Sequence, residues 1–447
     1  MDGQQLHATT APSLDVIDKN NLDYIDQNSD KALEFLRAEE VGNENQLVEE
    51  KKLLRKIDFM IMPLMWCCYM LEFLDKSLLN YASVMGILKD TNINSNQYAN
   101  ISLLFYVAFL VFELPHAYLM QRFPAAKYLG GIGIWYTGVG CATIFGSLIS
   151  YGFQHYHASV FKSWQIMFLV VGLFTICIGI LVVLVLPDNP MTSRLSHAEK
   201  VMAIERIREN NTGIENKHFK LHQALECLRD PQVILLCLIT ITASIPNGAV
   251  GSFQSILIKS FGFTNEQTTL LQIPSGVIAL SSVLIATWMA GRFNARTYNI
   301  MLWSAIGGLL GGSLLAFLPK GARAGKLGGN YLTQVVGAFL PCAYSLAGAN
   351  FAGHTKKVTM NALLLMSFCV GNIIGPLTFR QKDAPSYTPA KITIVAVDST
   401  AIVLTATLLL YYKWENKRRD RNPPAHRPNI EFLDLTDREN KELRYKY

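Results

Sequence analysis

The sequence predicts an all-α integral membrane protein with ten spanning helices: four, then a long polar loop, then six more. Three observations carry that prediction. Half of the 447 residues are hydrophobic and only 17% are charged, against about 25% charged in an ordinary soluble domain. The charges fall in blocks, and each uncharged stretch between them approaches the roughly 20 apolar residues that a hydrocarbon core about 30 Å thick demands of a helix. Lys and Arg concentrate in alternate connections, as positive charge retained on the cytoplasmic side requires.

The first apolar window, 58–79, follows a polar segment at 1–56 that is acidic and rich in Asn and Gln. A cytoplasmic N-terminal tail without a secretory signal is expected there. Lys51, Lys52, Arg55 and Lys56 at its end place the start of the chain inside. The second window, 101–120, is followed by Arg122 and Lys127, whereas the connection leading to it offers only Lys89, balanced by Asp90. Windows at 131–151 and 164–186 complete an N-terminal group over 57–187. The polar loop 188–232 carries Arg194, Lys200, Arg206, Arg208, Lys217, Lys220 and Arg229, and alternation returns it to the cytoplasmic side. Windows at 233–257, 269–290, 298–318, 331–351, 359–379 and 392–412 form a C-terminal six-helix bundle over 233–412. Arg292, Arg296, Lys356, Lys357, Lys413, Lys417, Arg418 and Arg419 then fall on cytoplasmic positions, and 413–447 is a cytoplasmic tail. One connection disagrees: Lys320, Arg323 and Lys326 fall outside.

Composition excludes several classes. Forty Lys and Arg against 34 Asp and Glu give a net charge of +6, too small and too scattered for a nucleic-acid stripe. Of the eight cysteines, Cys67, Cys68, Cys141, Cys177, Cys237, Cys342 and Cys369 lie in apolar runs, where they read as small hydrophobes. They show neither a disulfide framework nor C-x-x-C spacing. His155-x-His157 lacks further ligands and reads as solvated surface, and Asn210-Asn211-Thr212 matches a glycosylation sequon on the cytoplasmic loop, where it is silent. No Walker loop, nucleophile elbow or H-E-x-x-H is present, so no enzymatic chemistry, cofactor or metal is expected.

Charged groups inside hydrocarbon are costly and persist where they face a cavity. Glu72, Asp75 and Lys76 lie late in the first window, with offsets of three and four residues that put Glu72 on one face with both others. That fits a self-neutralising cluster or a working site. Glu113 sits past the middle of the second window, in Phe112-Glu113-Leu114-Pro115, with no basic neighbour in sequence. Desolvation disfavours the charged form of such a carboxylate, which is what a proton-exchanging group requires; a hydrogen bond to another helix is the structural alternative. Asp398 lies about seven residues into the last window, aimed at a partner helix or a cavity.

Pro246-Asn247-Gly248, Gln272-Ile273-Pro274 and the run from Gly371 to Pro376 are the expected places for unwound backbone, which at membrane depth survives only when buried in protein or lining a cavity. For the glycines, close helix crossing is the plainer reading. Asn247, Gln272, Asn361 and Asn372 carry donors and acceptors that need partners away from water. Lys76, Asn247, Gln272, Asn361, Asn372 and Asp398 are therefore the substrate-cavity candidates.

Several strings resemble the fungal allantoate permease family, in the anion:cation symporter group of the major facilitator superfamily. They are YVAFLVFELP at 106–115, IPNG at 245–248, IKSFGFTNEQTTLLQIP at 258–274, AGHTKK at 352–357, GNIIGP at 371–376 and WENKRRD at 414–420. The resemblance implies a twelve-helix carrier that moves a small organic anion, such as a ureide or vitamin-like carboxylate, inward with protons. It implies proton-coupling roles for Glu113, inside a matching string, and for Asp75, where the family commonly has an acidic residue before a basic one. Family members continue after Lys127-Tyr128-Leu129-Gly130 into a third and a fourth span. Here GIGIWYTGVG at 131–140 resembles the start of the fifth. Two spans with their loops, roughly 50 residues at about 20 per span, are thus missing at the Gly130/Gly131 seam. Because a pair is lost, alternation survives.

The expected protein has ten of the usual twelve helices in a major facilitator fold. It is a proton-coupled symporter of a small organic anion, working by rocking of two bundles about a midplane site. It is expected to be a monomer of the plasma membrane with both termini cytoplasmic, with the lipid bilayer, the anion and protons as its partners and no nucleic acid. The alternative is a truncated, non-transporting membrane protein from a skipped exon or faulty gene model, with at most a sensor or regulatory role.

Overall fold

Hydrocarbon offers a backbone donor no water, so a chain that crosses it closes its hydrogen bonds within helices. The computed structural model describes residues 50–122, 137–156, 161–185, 195–196, 199–200, 220–293, 295–319, 321–421 and 435–447. Among these residues every long element is a helix and there is no strand. The long helices are α1 (Glu50–Met85), α2 (Ser95–Arg122), α3 (Gly138–Gln154), α4 (Ser163–Val185), α5 (Pro231–Ser260), α6 (Ile273–Phe293), α7 (Arg296–Phe317), α8 (Arg323–Asn350), α9 (His354–Leu377) and α10 (Thr388–Arg421). Each overlies one apolar window. Nine described helices are long and apolar enough to cross a membrane. The tenth, α3, has 17 described residues, and the first part of its window lies outside the described set. The N-terminal tail to residue 49, the Gly130/Gly131 seam, His157 and the Asn210 sequon also fall outside it.

Local chemistry sets the helix ends. Asp230 caps α5 by accepting from the Gln232 amide, and Pro231 occupies the first turn, where a missing N–H costs nothing. The chain leaves α5 through Gly262, whose φ of +97° suits a residue without Cβ. A short helix, Asn265–Leu270, then starts with a capping box between Thr264 and Gln267.

Two of the three expected unwound places are helical instead. α5 runs unbroken through Pro246, and α9 runs through Gly371 and Pro376 to Leu377. A proline forfeits one ladder bond, whereas unwinding would strand several, so the helix persists. The chain does break ahead of α6, at Leu271 and Gln272. The irregular segments that the sequence did not announce are a π-helical stretch in α7, Ala305–Gly311, and a 3-10 turn in α8, Gln334–Ala338.

Packing separates the helices into groups. α1 packs on α3 and α4, α5 on α9 and α10, and α7 on α8 and α10. The largest contacts between the N-terminal group and the C-terminal one are those of α2 along α9 and of α3 across α6, and α1 also packs on α5. Where α3 crosses α6, Gly140 and Gly276 face each other so closely that a Cβ on Gly140 would lie 2.5 Å from the Gly276 carbonyl oxygen, the close approach that small residues allow between membrane helices. α4 turns Leu169, Leu173, Ile176, Ile180 and Leu184 outward, each more than half exposed. These positions recur at helical spacing, an apolar stripe suited to lipid.

One end of the molecule gathers the charges predicted to share a side. Lys56 at the start of α1 pairs with Glu199 of the central loop at 2.7 Å. Lys356 at the start of α9 is fully buried, with its ammonium 2.8 Å from carboxylate oxygens of Glu226, Asp230 and Asp437. Asp437 belongs to the C-terminal segment 435–447, which lies across this end. Arg419 of α10 donates to the carbonyls of Asp437 and Leu443, Asn416 exchanges two hydrogen bonds with Tyr445, and Asn350 exchanges two with Lys446. Glu226, Asp230 and Asp437 have the spacing of a cation site, and the Lys356 ammonium sits at its centre. The AGHTKK and WENKRRD strings thus build a clasp for the C-terminal segment.

The short helix Leu221–Leu228 lies under this clasp and carries Cys227, which is fully buried. Burial pushes its thiol up to about 12, outweighing the opposite pull of the nearby Lys356 ammonium. Cys227 is therefore expected to resist maleimide near neutral pH, and its thiolate fraction to grow only as the pH climbs toward that value. In a variant keeping Cys227 as its sole cysteine, mass spectrometry should find it unmodified in the native protein. Asp437→Ala, which loosens the clasp, should make it reactive; equal, rapid labelling of both proteins would contradict this packing.

Candidate functional site

Adjacent residues on a helix turn about 100° apart, and Asp75 and Lys76 accordingly face different neighbours. Asp75 is half-buried toward α4, where the Thr175 hydroxyl donates to Oδ2 at 3.0 Å. Lys76 points toward α2. Its ammonium lies 4.7 Å from the centre of the Phe73 ring and 4.8 Å from that of Tyr106, within the range of cation–π attraction. Glu72 is exposed and forms no ion pair with Lys76, so the self-neutralising cluster does not form. Among the described residues no carboxylate lies within ion-pairing distance of this ammonium.

The contacts continue from Lys76 into the C-terminal group. Tyr106 meets Phe368 of α9 edge-on, with ring centres 6.2 Å apart. The Phe368 carbonyl accepts from the amide of Asn372 at 2.8 Å, and the other amide atom of Asn372, Oδ1, is buried without a partner among the described residues. Asn372 in turn abuts Gly248 of α5, where a Cβ would stand 2.7 Å from the Asn372 Cα. Asn247, next to it, is half-buried with no side-chain hydrogen bond among the described residues. Of the residues singled out in the sequence, Lys76 and Asn372 are therefore linked through Tyr106 and Phe368, with Asn247 one residue before the Gly248 that Asn372 abuts.

The others go elsewhere. Gln272 is fully buried in a closed network: it accepts from Asn80 at 2.9 Å and donates to Ser255 at 2.9 Å and to the Thr268 carbonyl. Asn80 also accepts from the Ser255 amide. With every polar atom of Gln272 satisfied by protein, it fastens α1, α5 and the start of α6 together and has no group left for a ligand. Asp398 is fully buried where α10 meets α7, against Gly308 of the π-helical stretch, and neither carboxylate oxygen has a hydrogen-bond partner among the described residues. It lies within the C-terminal group because the glycines of α7 let α10 approach there. Asn361 is exposed on α9 and no hydrogen bond joins it to the others. Glu113 lies on α2, but its side chain falls outside the described residues.

An aromatic stack lies toward the end opposite the clasp. Phe253 of α5 lies face to face with Phe379 at 4.6 Å and edge-on to Tyr98 of α2 at 5.3 Å, and Phe379 meets Tyr387 at 5.2 Å. Tyr98 donates to the Ser252 carbonyl at 2.9 Å. A polar cluster around Gln272 and an aromatic stack thus lie toward one end, with Lys76 one helical turn before Asn80 of that cluster. Sequence reading passed over Asn80, Phe73 and Phe368, whose residue types fit a core or a lipid face equally well. The only available signal was the four-residue spacing of Lys76 and Asn80 on one face of α1.

A family model described as Major Facilitator Superfamily matches residues 123–376. The thiamine pathway transporter THI73 of Saccharomyces cerevisiae is 36% identical over an alignment covering 89% of this chain and 86% of that protein. The allantoate permease of the same yeast is 31% identical, over 93% and 90% of the two chains. In architecture the chain is similar to the fucose:proton symporter FucP of E. coli, with a TM-score of 0.50 at 14% identity, over 78% of this chain and 99% of that one; that likeness concerns the fold alone. The chain therefore belongs to the Major Facilitator Superfamily: it is a multi-pass secondary transporter rather than an enzyme, related to the allantoate permease branch and short of the usual twelve spans among its described residues.

Proposed function

We propose that the chain is a proton-coupled symporter for a small organic anion, a ureide or vitamin-like carboxylate, and that Lys76 is the group that holds the anion. The observation that carries the reading is the half-buried Lys76 ammonium, held between two aromatic rings where α1 meets α2, with no carboxylate within ion-pairing distance among the described residues. A bound carboxylate supplies the missing charge at short range, in surroundings drier than bulk water where such a pair is strong. Asn372, linked to it through Tyr106 and Phe368, and Asn247 on α5 are the candidates for further polar contacts to the anion. Asp75, one residue away and half-buried, and Glu113 on α2 are the proton-exchanging candidates. Asp75 is placed to couple, because neutralising it changes the field at Lys76 directly. The allantoate permease relative supports the ureide class, and the positive-charge pattern supports placing the clasp end and both termini in the cytoplasm. We place the carrier, as a monomer, in the plasma membrane.

A second reading rests on a separate observation. The alignment with THI73 is 454 positions long, more than the 447 residues of the chain of which it covers 89%. The excess matches the roughly 50 residues that two spans and their loops need. This supports loss of the family's third and fourth spans at the Gly130/Gly131 seam, and with it a product that does not transport.

Uptake of radiolabelled carboxylates and ureides into transport-deficient cells separates the two. The present chain is compared with a form whose two spans are restored from the transcript. Uptake that rises with outside acidity is expected of the transporter. In whichever form transports, Lys76→Gln should cut uptake roughly 30- to 1,000-fold, the loss expected when one partner of a buried charge pair is removed. Glu113→Gln or Asp75→Asn should abolish accumulation against a gradient while sparing counterflow. Full uptake by Lys76→Gln would sink the anion-anchor role, and uptake by the restored form alone would establish the second reading for the 447-residue chain.

A further inference from the structure

The one connection that violates the positive-charge pattern leads to a second basic site, at the end that holds the aromatic stack. Lys391, in the first turn of α10, is only 5% exposed. Its ammonium lies 5.5 Å from the centre of the Phe261 ring, and Lys326 of α8 presents a second positive charge to it. The next residue along, Gly262, is covered by the Arg323 guanidinium, so close that a Cβ there would meet Nη2 at 3.0 Å. Three cations from two helices thus surround the turn after α5. Among the described residues none of the three has a carboxylate within ion-pairing distance, and Glu266, five residues after Phe261, is exposed and unpaired.

Two bland explanations fall short. The carbonyl end of α5 attracts cations, but it is equivalent to about half a unit of charge, and its last turn is partly satisfied by the amides of Phe261 and Gly262. Arg323 is enough to compensate it. An aromatic ring attracts a cation too, but it does not relieve the repulsion between Lys391 and Lys326. α8 adds to the surplus: its first turn has no side-chain cap and no acidic residue, and begins with Arg323, the reverse of the charge that a helix N-terminus favours. A buried ammonium held beside another cation is costly, and it is kept where an anion arrives to share it.

We propose that Lys391, Lys326 and Arg323 form an outer capture site for small carboxylate anions, which takes the anion from outside and holds it ahead of Lys76. This rests on the transporter reading for its purpose, though not for its chemistry. A cluster of one sign beside low-dielectric walls raises the local concentration of the opposite ion. Capture at the outer mouth therefore lowers the substrate concentration needed, without touching the transport step.

The test is footprinting of Lys326 by a membrane-impermeant amine reagent, on the full chain in intact cells and in inside-out vesicles, with succinate, acetate or sodium chloride at equal ionic strength. Lys326 should be labelled from outside, and succinate should reduce its labelling several-fold where chloride does not. Lys391→Gln, and separately Lys391→Met in case one variant folds poorly, should remove that protection while Lys326 remains reactive. In cells that take up substrate, Lys391→Gln should raise the KM for uptake about tenfold with little change in maximal rate. Protection by chloride equal to that by succinate, protection that survives both Lys391 variants, or no protection by either carboxylate overturns the capture site even if uptake proceeds. Labelling confined to inside-out vesicles overturns it together with the proposed orientation. Absence of uptake in every form defeats the transporter reading alone, because the footprint still decides whether carboxylates bind.

Discussion

Lys356→Met is expected to leave little folded protein. The substitution keeps an unbranched side chain one atom shorter but removes the cation that Glu226, Asp230 and Asp437 share at 2.8 Å each. Breaking a buried pair by deleting one partner costs about 3–5 kcal/mol, because the other charge stays buried without compensation. Here three carboxylates are left: Asp230 and Asp437, fully buried and held in place by Gln232 and Tyr445, and Glu226, which accepts from Thr436. Relief requires the 435–447 segment to leave, and with it go the bonds of Arg419, Asn416 and Asn350 that join the ends of α8, α9 and α10. The check is the yield of monodisperse protein and its thermal unfolding in detergent. Combining Lys356→Met with Asp230→Asn and Asp437→Asn should recover much of the loss, since the charges are then removed together. A single variant as stable as the parent would show that the clasp contributes nothing.

Gly375→Leu should be comparably severe, for a reason of shape rather than charge. A Cβ at 375 would lie 2.5 Å from both the Ala249 nitrogen and the Ile245 oxygen of α5. Those are backbone atoms, so no rotamer change makes room, and the two helices have to separate. Overpacking of this kind costs about 1–3 kcal/mol when side chains can adjust, and more when they cannot. Separation also moves Asn372 from Gly248, so the contacts leading to Lys76 are disturbed with the packing. Gly251, on the partner helix α5, is the control: a Cβ there meets nothing within 4 Å, and Gly251→Ala should stabilise by about 0.5–1 kcal/mol through the lower entropy of its unfolded chain. Measured by unfolding in detergent, equal effects at the two sites would contradict the α5–α9 crossing.

These contrasts mark how far a reading of residues reaches. The strings IPNG and GNIIGP were legible as small-residue crossings, and the structure uses Gly248, Gly371 and Gly375 for that purpose. Unwinding at Pro246 and Pro376 was not the outcome, because the cost of unpaired backbone in lipid outweighs local propensity. AGHTKK and WENKRRD carried the family resemblance and cytoplasmic positive charge, and in the structure Lys356 and Arg419 serve the C-terminal clasp. Nothing in their spacing could reveal this, since Asp437 is distant in sequence from Lys356 and its segment is short and polar. Gln272 and Asn372 were equivalent as amides in apolar runs. They differ because Asn80, Ser255 and Thr268 satisfy the amide of the first, whereas Oδ1 of the second has no donor among the described residues.

The number of spans, their order, the alternation of charged connections and the all-helical class follow from the residues alone, because hydrocarbon thickness and the cost of bare backbone act on each stretch independently of the rest. Which charges meet does not follow. The Lys76–Tyr106 contact, the Asn80–Gln272 bond at a separation of 192 residues, and the burial of Lys391 beside Lys326 depend on how helices cross. Those crossings are set by glycines at a few positions and by which polar atoms remain unsatisfied once the helices pack.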